Sequence, residues 1–465
     1  MKPVRNERAL LACVVALFLA RCFVANTIVP PWQGPDETTH VAMAQLLALP
    51  NERYWQSPLV IENDVIEIDG KPGSPRAIAS VERDVKRQIV ASMVKHRWWA
   101  AFGWEVPDPI PLFFTGTYVQ PIYYGVAALV LRVLPSVDVE DTYFRLQGLS
   151  VCFAVLALVF GWAGTRILFD SGTALGTATI AALHPQFLLT ALTVNPDIMV
   201  AAWGGFIWWQ LARLATGHRR ALSFLLVTIA SASAAITKKS AVPLAFAALA
   251  IAVVLVVPAC LEFWRRHKRV LAGAVVAVVT ATPIAALFSD GLMGQLAQFW
   301  SSPIVVRRHP DDMTVAAATQ YLLTAVDYAW LRAGWEHFPA PDLWLLVVRV
   351  LTFVARCGAL VQLFRSQGRV RMALAVAWAL LLVQLFAILG PGFWGLLAPA
   401  GRYLFAVLAP MMVLLWVGIV GVGSSPRHSY AAIALIATVA LLDAVGFTEV
   451  LMRAYVPIIL GGSGS

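Results

Sequence analysis

The chain has 465 residues, 59% of them hydrophobic and only 13% charged, with a mean hydropathy of +0.74. Soluble domains carry roughly 45–50% apolar and about 25% charged residues, so a soluble enzyme or binding module is excluded. The net charge of +9 does not signal a nucleic-acid partner, because the basic residues fall mainly in short loops between apolar runs.

Taken in chain order, Lys2, Arg5 and Arg8 precede an apolar run from Ala9 to Val29. That run is long enough to span a bilayer, and the flanking charge predicts a cytoplasmic N-terminus. The rival reading, a cleaved signal peptide, lacks a small-residue cleavage site before Pro30. Ten further runs of spanning length follow, over 149–169, 174–192, 197–216, 221–236, 241–260, 270–288, 343–364, 372–390, 403–422 and 430–450. The fold class expected is therefore an all-α polytopic membrane protein with eleven transmembrane helices. That count puts Arg166, His218-Arg219-Arg220, Arg265 to Arg269, Arg365/Arg369/Arg371 and Arg427 on the cytoplasmic side. Pro121–Leu134 is apolar but short. If it crossed, every later loop would invert, so it reads as a re-entrant or interfacial helix on the outer side.

The outer face then receives a long first loop (30–148), a second long loop (289–342) and three short turns. A single membrane domain over 1–460 results, and the closing Gly-Gly-Ser-Gly-Ser has the composition of a linker. Within the first loop, 77–99 is amphipathic and suits a helix lying on the membrane. Cys13, Cys22, Cys152, Cys260 and Cys357 lie in or beside apolar runs, which gives neither a disulfide framework nor a zinc spacing.

Chemistry-bearing residues concentrate on the outer side. "PPWQGPDETTH" leaves the first span with Asp36, Glu37 and His40 within five positions. A carboxylate in a semi-enclosed site can act as a general base. Acidic residues after a proline also suit a helix start, and both readings stand. His40 follows Asp36 by one helical turn, as in a metal or acid/base pair or as a structural histidine. "TVNPD" offers Asn195 and Asp197, as a helix cap or as a second carboxylate. Lys238 and Lys239, in an outer hairpin, and Arg402, at the outer start of a span, run against the positive-inside bias. They ask for an anion: lipid headgroups or the phosphate of a lipid-linked substrate. Arg307, Arg308 and His309 lie in the second long loop. Arg21, Arg349 and Arg356 lie inside spans, where charge is paired or functional.

The order "PDETTH", "QPIYY", "FRLQGLS", "HPQFLLTALTVNPD", "TKKS", "AGRYLFAVLAP" resembles the GT-C superfamily of integral membrane glycosyltransferases, and within it a bacterial family with a PDE..H first loop and a GRYL motif. The resemblance implies a polyprenyl-phosphate-linked sugar donor and inverting transfer to a glycan, lipid or protein acceptor. It places the reaction on the outer face of the bacterial inner membrane. It makes Asp36 or Glu37 the base. It makes His40, Asn195, Asp197, Lys238, Lys239, Arg402 and Tyr403 substrate-binding, and it allows a divalent metal on Asp36, Glu37 and Asp197. "VQPIYY" departs from the pattern by lacking a second proline. The competing classes are a lipid-linked sugar transporter or flippase, and an oligosaccharide polymerase or ligase. Transporters often repeat one half in the other; this chain has no exact internal repeat.

Overall fold

A computed structural model describes residues 6–34, 36–48, 85, 88–89, 91–96, 121–257, 315–333, 338–393, 401–422 and 426–459. Nearly all of these are helical. The described helices in chain order are α1 (Glu7–Ile28), α2 (Glu37–Ala48), α3 (Pro121–Val133), α4 (Val139–Leu168), α5 (Ser171–Ala182), α6 (Pro185–Leu192), α7 (Pro196–Ala215) and α8 (Arg220–Thr237). They continue with α9 (Lys239–Val257), α10 (Val315–Trp330), α11 (Asp342–Arg365), α12 (Gly368–Phe393), α13 (Leu408–Val420) after a 3-10 turn over Gly401–Val407, α14 (Pro426–Gly446) and α15 (Arg453–Ile459). One two-residue antiparallel pair, Arg332–Ala333 with Phe338–Pro339, follows α10.

Among the described residues eight helices are long and apolar enough to cross a membrane, or nine if the bent pair α5–α6 is one span. Of the other expected spans, 270–288 lies outside the described residues. The α7 helix forms as expected, but Gln210 and Arg213 interrupt its apolar run and it is not among the eight.

The run 174–192, expected as one straight span, is broken by 61°. Proline disfavours the helical conformation in the residue before it, and His184 is extended (φ −69°, ψ 118°). Its Nδ1 accepts the Phe187 N–H at 3.3 Å, restarting the chain as α6. The break leaves carbonyls at the end of α5 that no water reaches inside a bilayer. Arg21 on α1 donates to Ala182 O and, at 3.5 Å, to Leu183 O, and pairs with Asp443 on α14. The other arginines inside spans are held too. Arg349 forms a bidentate pair with Asp327 of α10 (2.8 and 2.6 Å), and Arg356 donates to Met411 O at 3.2 Å. They therefore serve two separate contacts.

Helices pack closely where a side chain is missing. A Cβ added to Gly418 of α13 would collide with Ala355 O of α11, and one added to Gly358 with Gly418 O. Small residues permit such close backbone approach between membrane helices.

A second buried cluster lies apart from the main core. Trp32, Val41, Ala44, Ile89, Met93, Tyr123, Tyr124, Tyr143 and Leu146 pack together. They join the start of the first loop, α2, the short helix α3 and the head of α4. With 13 residues, α3 falls short of the roughly 17 needed to span. Its Arg132 caps the end of α2 through Leu47 O (3.0 Å) and Ala48 O (3.2 Å). Of the amphipathic stretch 77–99, residues 91–95 are helical. They dock on protein: Trp32 Nε1 donates to Ser92 Oγ, which donates to Glu140, and Lys95 pairs with the same carboxylate at 2.8 Å.

Glu7 pairs with Arg166 at 2.7 Å, so the start of α1 and the end of α4 share one end of the bundle. The first loop, the α6–α7 turn, the α8–α9 turn and the turn before α13 share the other.

Candidate active site

The chain leaves α1 through Pro30 and turns sharply. Trp32 (φ 71°) and Asp36 (φ 63°) both adopt the left-handed region, which costs a non-glycine residue roughly 1–2 kcal/mol and concentrates at functional sites. Glu37 holds the turn in place. Its Oε2 accepts from Gly34 N (2.7 Å), and its Oε1 accepts from Val194 N (2.9 Å) and the Tyr143 hydroxyl (3.0 Å). The side chain is fully buried. Burial pushes its pKa up to about 7 against the pull of these three hydrogen bonds. Glu37 thus ties the first loop to the α6–α7 turn and to α4.

Asp36 is different: its side chain is 43% exposed, and Oδ2 lies 3.6 Å from Arg402 Nη2. Arg402 in turn sets Nε 3.1 Å from Asp197 Oδ2, an ion-pair distance without hydrogen-bond alignment. Lys238 Nζ meets Asp197 Oδ1 at 2.7 Å. Two carboxylates and two cations from four distant segments therefore form one chain, Asp36–Arg402–Asp197–Lys238. Asp197 is 3% exposed; a carboxylate so deep needs paired charge to remain ionised.

Local sequence explains each placement. Asn195 Oδ1 accepts the Asp197 N–H at 2.7 Å and caps α7, with Pro196 as its first residue. Asn195 is thus the cap and Asp197 the paired carboxylate. The Tyr403 ring lies under both cations, 5.0 Å from Lys238 Nζ and 5.6 Å from Arg402 Cζ. Gln384 donates to Ser240 O and Tyr403 O, each at 3.0 Å, which fixes the two cation-bearing turns against each other. Lys238, rather than Lys239, is the lysine that meets Asp197; Lys239 opens the 3-10 turn that begins α9.

His40 Nδ1 lies 2.7 Å from the Tyr124 hydroxyl, and the side chain is 3% exposed. Burial and then the charges of Lys238 and Arg402 lower its pKa to about 3. It is a neutral imidazole at the wall of the cluster, bonded to Tyr124.

The three acids that could have shared a metal do not converge. Among the described residues no three His, Cys, Asp or Glu side chains are placed to hold an ion. Glu37 already accepts three hydrogen bonds and Asp197 pairs with two cations, so this donor set does not fit a divalent metal. Arg307, Arg308 and His309 lie outside the described residues.

Beside the charged chain opens a pocket, lined among others by Gln33, Glu37, Asn195, Arg332, Arg402 and Tyr455. Sequence reading missed Gln33, Arg332, Tyr143, Tyr455 and Gln384. A signal existed for Arg332: it is a cation in an outer loop, the same anomaly that flagged Lys238 and Arg402. Gln384 and Tyr455 carry no such signal.

Fold and site together define a multi-pass helical membrane protein with a charged, polar cleft at one end of its bundle. The family described as dolichyl-phosphate-mannose-protein mannosyltransferase matches residues 126–286, which bears out the likeness to GT-C glycosyltransferases at the level of the superfamily. No curated protein matches the sequence. Among solved structures, the apo oligosaccharyltransferase of Archaeoglobus fulgidus is 13% identical with a TM-score of 0.49, over 95% of this chain and 56% of that one. The archaeal oligosaccharyltransferase AglB of the same organism, in complex with an inhibitory peptide and a dolichol-phosphate, is 13% identical with a TM-score of 0.48, over 97% and 56%. The chain thus spans little more than half the length of these proteins.

Proposed function

We propose that this protein transfers a sugar from a polyprenyl-phosphate donor to an acceptor hydroxyl on the outer face of a bacterial inner membrane, with inversion and with Asp36 as the base. The observation that carries the reading is the chain Asp36–Arg402–Asp197–Lys238, which sets an accessible carboxylate beside buried cations where the chain leaves the membrane. The match over residues 126–286 to dolichyl-phosphate-mannose-protein mannosyltransferases supports the donor class.

The acceptor oxygen attacks the anomeric carbon and its proton passes to an Asp36 oxygen. The bond from that carbon to the phosphate oxygen breaks, and polyprenyl phosphate leaves with the electron pair. Arg402, Lys238 and Lys239 stabilise the charge on the leaving phosphate, a contribution that is often the largest in such steps. Asp36 and the phosphate compete for one guanidinium. A phosphate on Arg402 loosens its 3.6 Å contact with Asp36 and frees the carboxylate to face the acceptor hydroxyl. Glu37, Asn195 and Gln384 position these groups, and the prenyl tail lies between spans.

The test is a transfer assay with the purified chain in nanodiscs and synthetic undecaprenyl-phosphate sugars. Transfer by the native chain that vanishes with Asp36→Asn supports the reading. Sugar-lipid translocation without transfer refutes it and favours a flippase.

A further inference from the structure

The pocket beside Arg402 contains hydrogen-bonding groups that find no partner among the described residues. Gln33 is 4% exposed, yet among the described residues neither its Oε1 nor its Nε2 has a partner. Tyr455 is fully buried, and its hydroxyl has none either. Both residues line the same pocket as Glu37 and Arg402. Folded proteins leave few buried polar atoms unpaired, so two such side chains facing one pocket call for an explanation.

Neither is there by loose packing. Gln33 sits between Trp32, whose backbone is held in the left-handed region, and Gly34. At Gly34 an added Cβ would collide with the Thr193 side chain and the Glu37 carboxyl. The Tyr455 ring packs edge-on against Phe338 at 5.7 Å. Their unmet capacity is mixed. The Gln33 amide both donates and accepts, and so does the phenol. A phosphate only accepts and would leave Gln33 Oε1 unmet; a prenyl chain would meet none of the three atoms. Vicinal hydroxyls, which donate and accept at neighbouring positions, match all of them.

We propose that Gln33 and Tyr455 form a glycosyl subsite that hydrogen-bonds the hydroxyls of a sugar next to Arg402. The proposal rests on reading the cleft as a glycosyltransferase site. The sugar is either that of the donor lipid or that of the acceptor.

The test uses the purified full chain in nanodiscs with Tyr455→Phe and Gln33→Leu. Both changes delete polar atoms that have no partner among the described residues, so the thermal midpoint is expected to hold or rise. Native mass spectrometry compares binding of undecaprenyl phosphate with that of undecaprenyl-phosphoglucose, -mannose and -galactose. If the subsite holds the donor sugar, the native chain binds at least one glycosylated lipid more tightly than the bare one. Each substitution then removes about tenfold of that preference, as expected for a lost hydrogen bond, and leaves the bare lipid unaffected. If it holds the acceptor sugar, lipid binding is unchanged and KM for an acceptor methyl glycoside rises about tenfold. Unchanged lipid preference together with unchanged KM overturns the subsite and leaves bound water as the partner of these atoms. A midpoint lowered by more than 5 °C in both variants also overturns it, because the groups would then be structural. If the native chain neither binds undecaprenyl phosphate nor transfers sugar, the donor reading fails on its own. The subsite is then decided by tryptophan-fluorescence titration with methyl glucoside, mannoside and galactoside, where a native response lost in both variants sustains it and no response overturns it.

Discussion

Two clusters of buried charge in this protein look alike in composition and behave as opposites. Around the α5–α6 break, Arg21 is spent: it satisfies two orphan carbonyls and pairs with Asp443, and both side chains are about 15% exposed or less. At the end of the bundle away from Glu7, Arg402 is shared between Asp197 and a half-exposed Asp36, and it also borders an open pocket. The first arrangement closes a gap in the fold. The second sets a buried cation at the wall of a pocket and leaves one of its carboxylate partners, Asp36, half-exposed. The charge at the broken helix is taken up by that helix and by one carboxylate, whereas the charge at the pocket is divided between two carboxylates, one of them half-exposed.

Four measurements can break or sharpen this contrast. The largest effect is expected at the closed cluster. Asp443→Ala strands Arg21 and should cost about 3–5 kcal/mol of stability, as breaking a buried pair does. Activity per folded molecule should stay near native. A thermal midpoint that does not move would show the two clusters to be equivalent. Next, Asp36→Asn should lower sugar transfer by about 100-fold or more, because an amide cannot take the proton. Its midpoint should barely shift, since the contact it alters is long and half-exposed. Activity near native in the purified assay would make Asp36 structural and move the base to Asp197. Third, Arg402→Ala should weaken donor use by a charge-assisted contact, about 1.5–3 kcal/mol or roughly tenfold to a hundredfold. Lys238→Ala should act in the same direction, and donor kinetics indifferent to both would leave the cations as headgroup contacts.

The smallest effect concerns Glu37. Burial raises its pKa from the ordinary 4.5 to about 7, so the fold favours the protonated form. Its contribution to stability is full below pH 4.5 and is lost as pH rises through about 7. A plot of thermal midpoint against pH should therefore fall across that window in the native chain and be flatter in Glu37→Gln. Equal slopes would mean that the three hydrogen-bond donors outweigh burial.

The anomalies of the outer loops were legible from residues alone. Lys238 and Arg402 violated the positive-inside bias, and both lie in the charged chain. Asp36, Glu37 and Asp197 were singled out together, but their roles were interchangeable on paper. Asp36 and Glu37 are neighbours with the same chemistry, and only the Gly34, Val194 and Tyr143 donors separate the buried brace from the half-exposed carboxylate. The break at 183–184 was hidden by a hydropathy pattern that runs straight through it, although Pro185 marked the place. Gln33 and Tyr455 gave no sign, because an unpaired amide or phenol is defined by what does not surround it.

The sequence by itself determined the solvent and the class. Apolar runs of spanning length can only be helices in a bilayer, where backbone groups must be satisfied within the segment. Charges at their ends set where polar chemistry can occur. Tertiary structure decided the assignments that depend on distance. It chose Lys238 over Lys239 as the partner of Asp197 and made His40 a neutral wall of the site. It also gave the supposed metal ligands other partners, with Glu37 held by hydrogen bonds and Asp197 by cations. Hydropathy is a local property that each segment carries into the membrane with it. Burial, ionisation and partnership belong to groups that meet only after residues 36, 197, 238 and 402 have been brought together, so no local pattern can encode them.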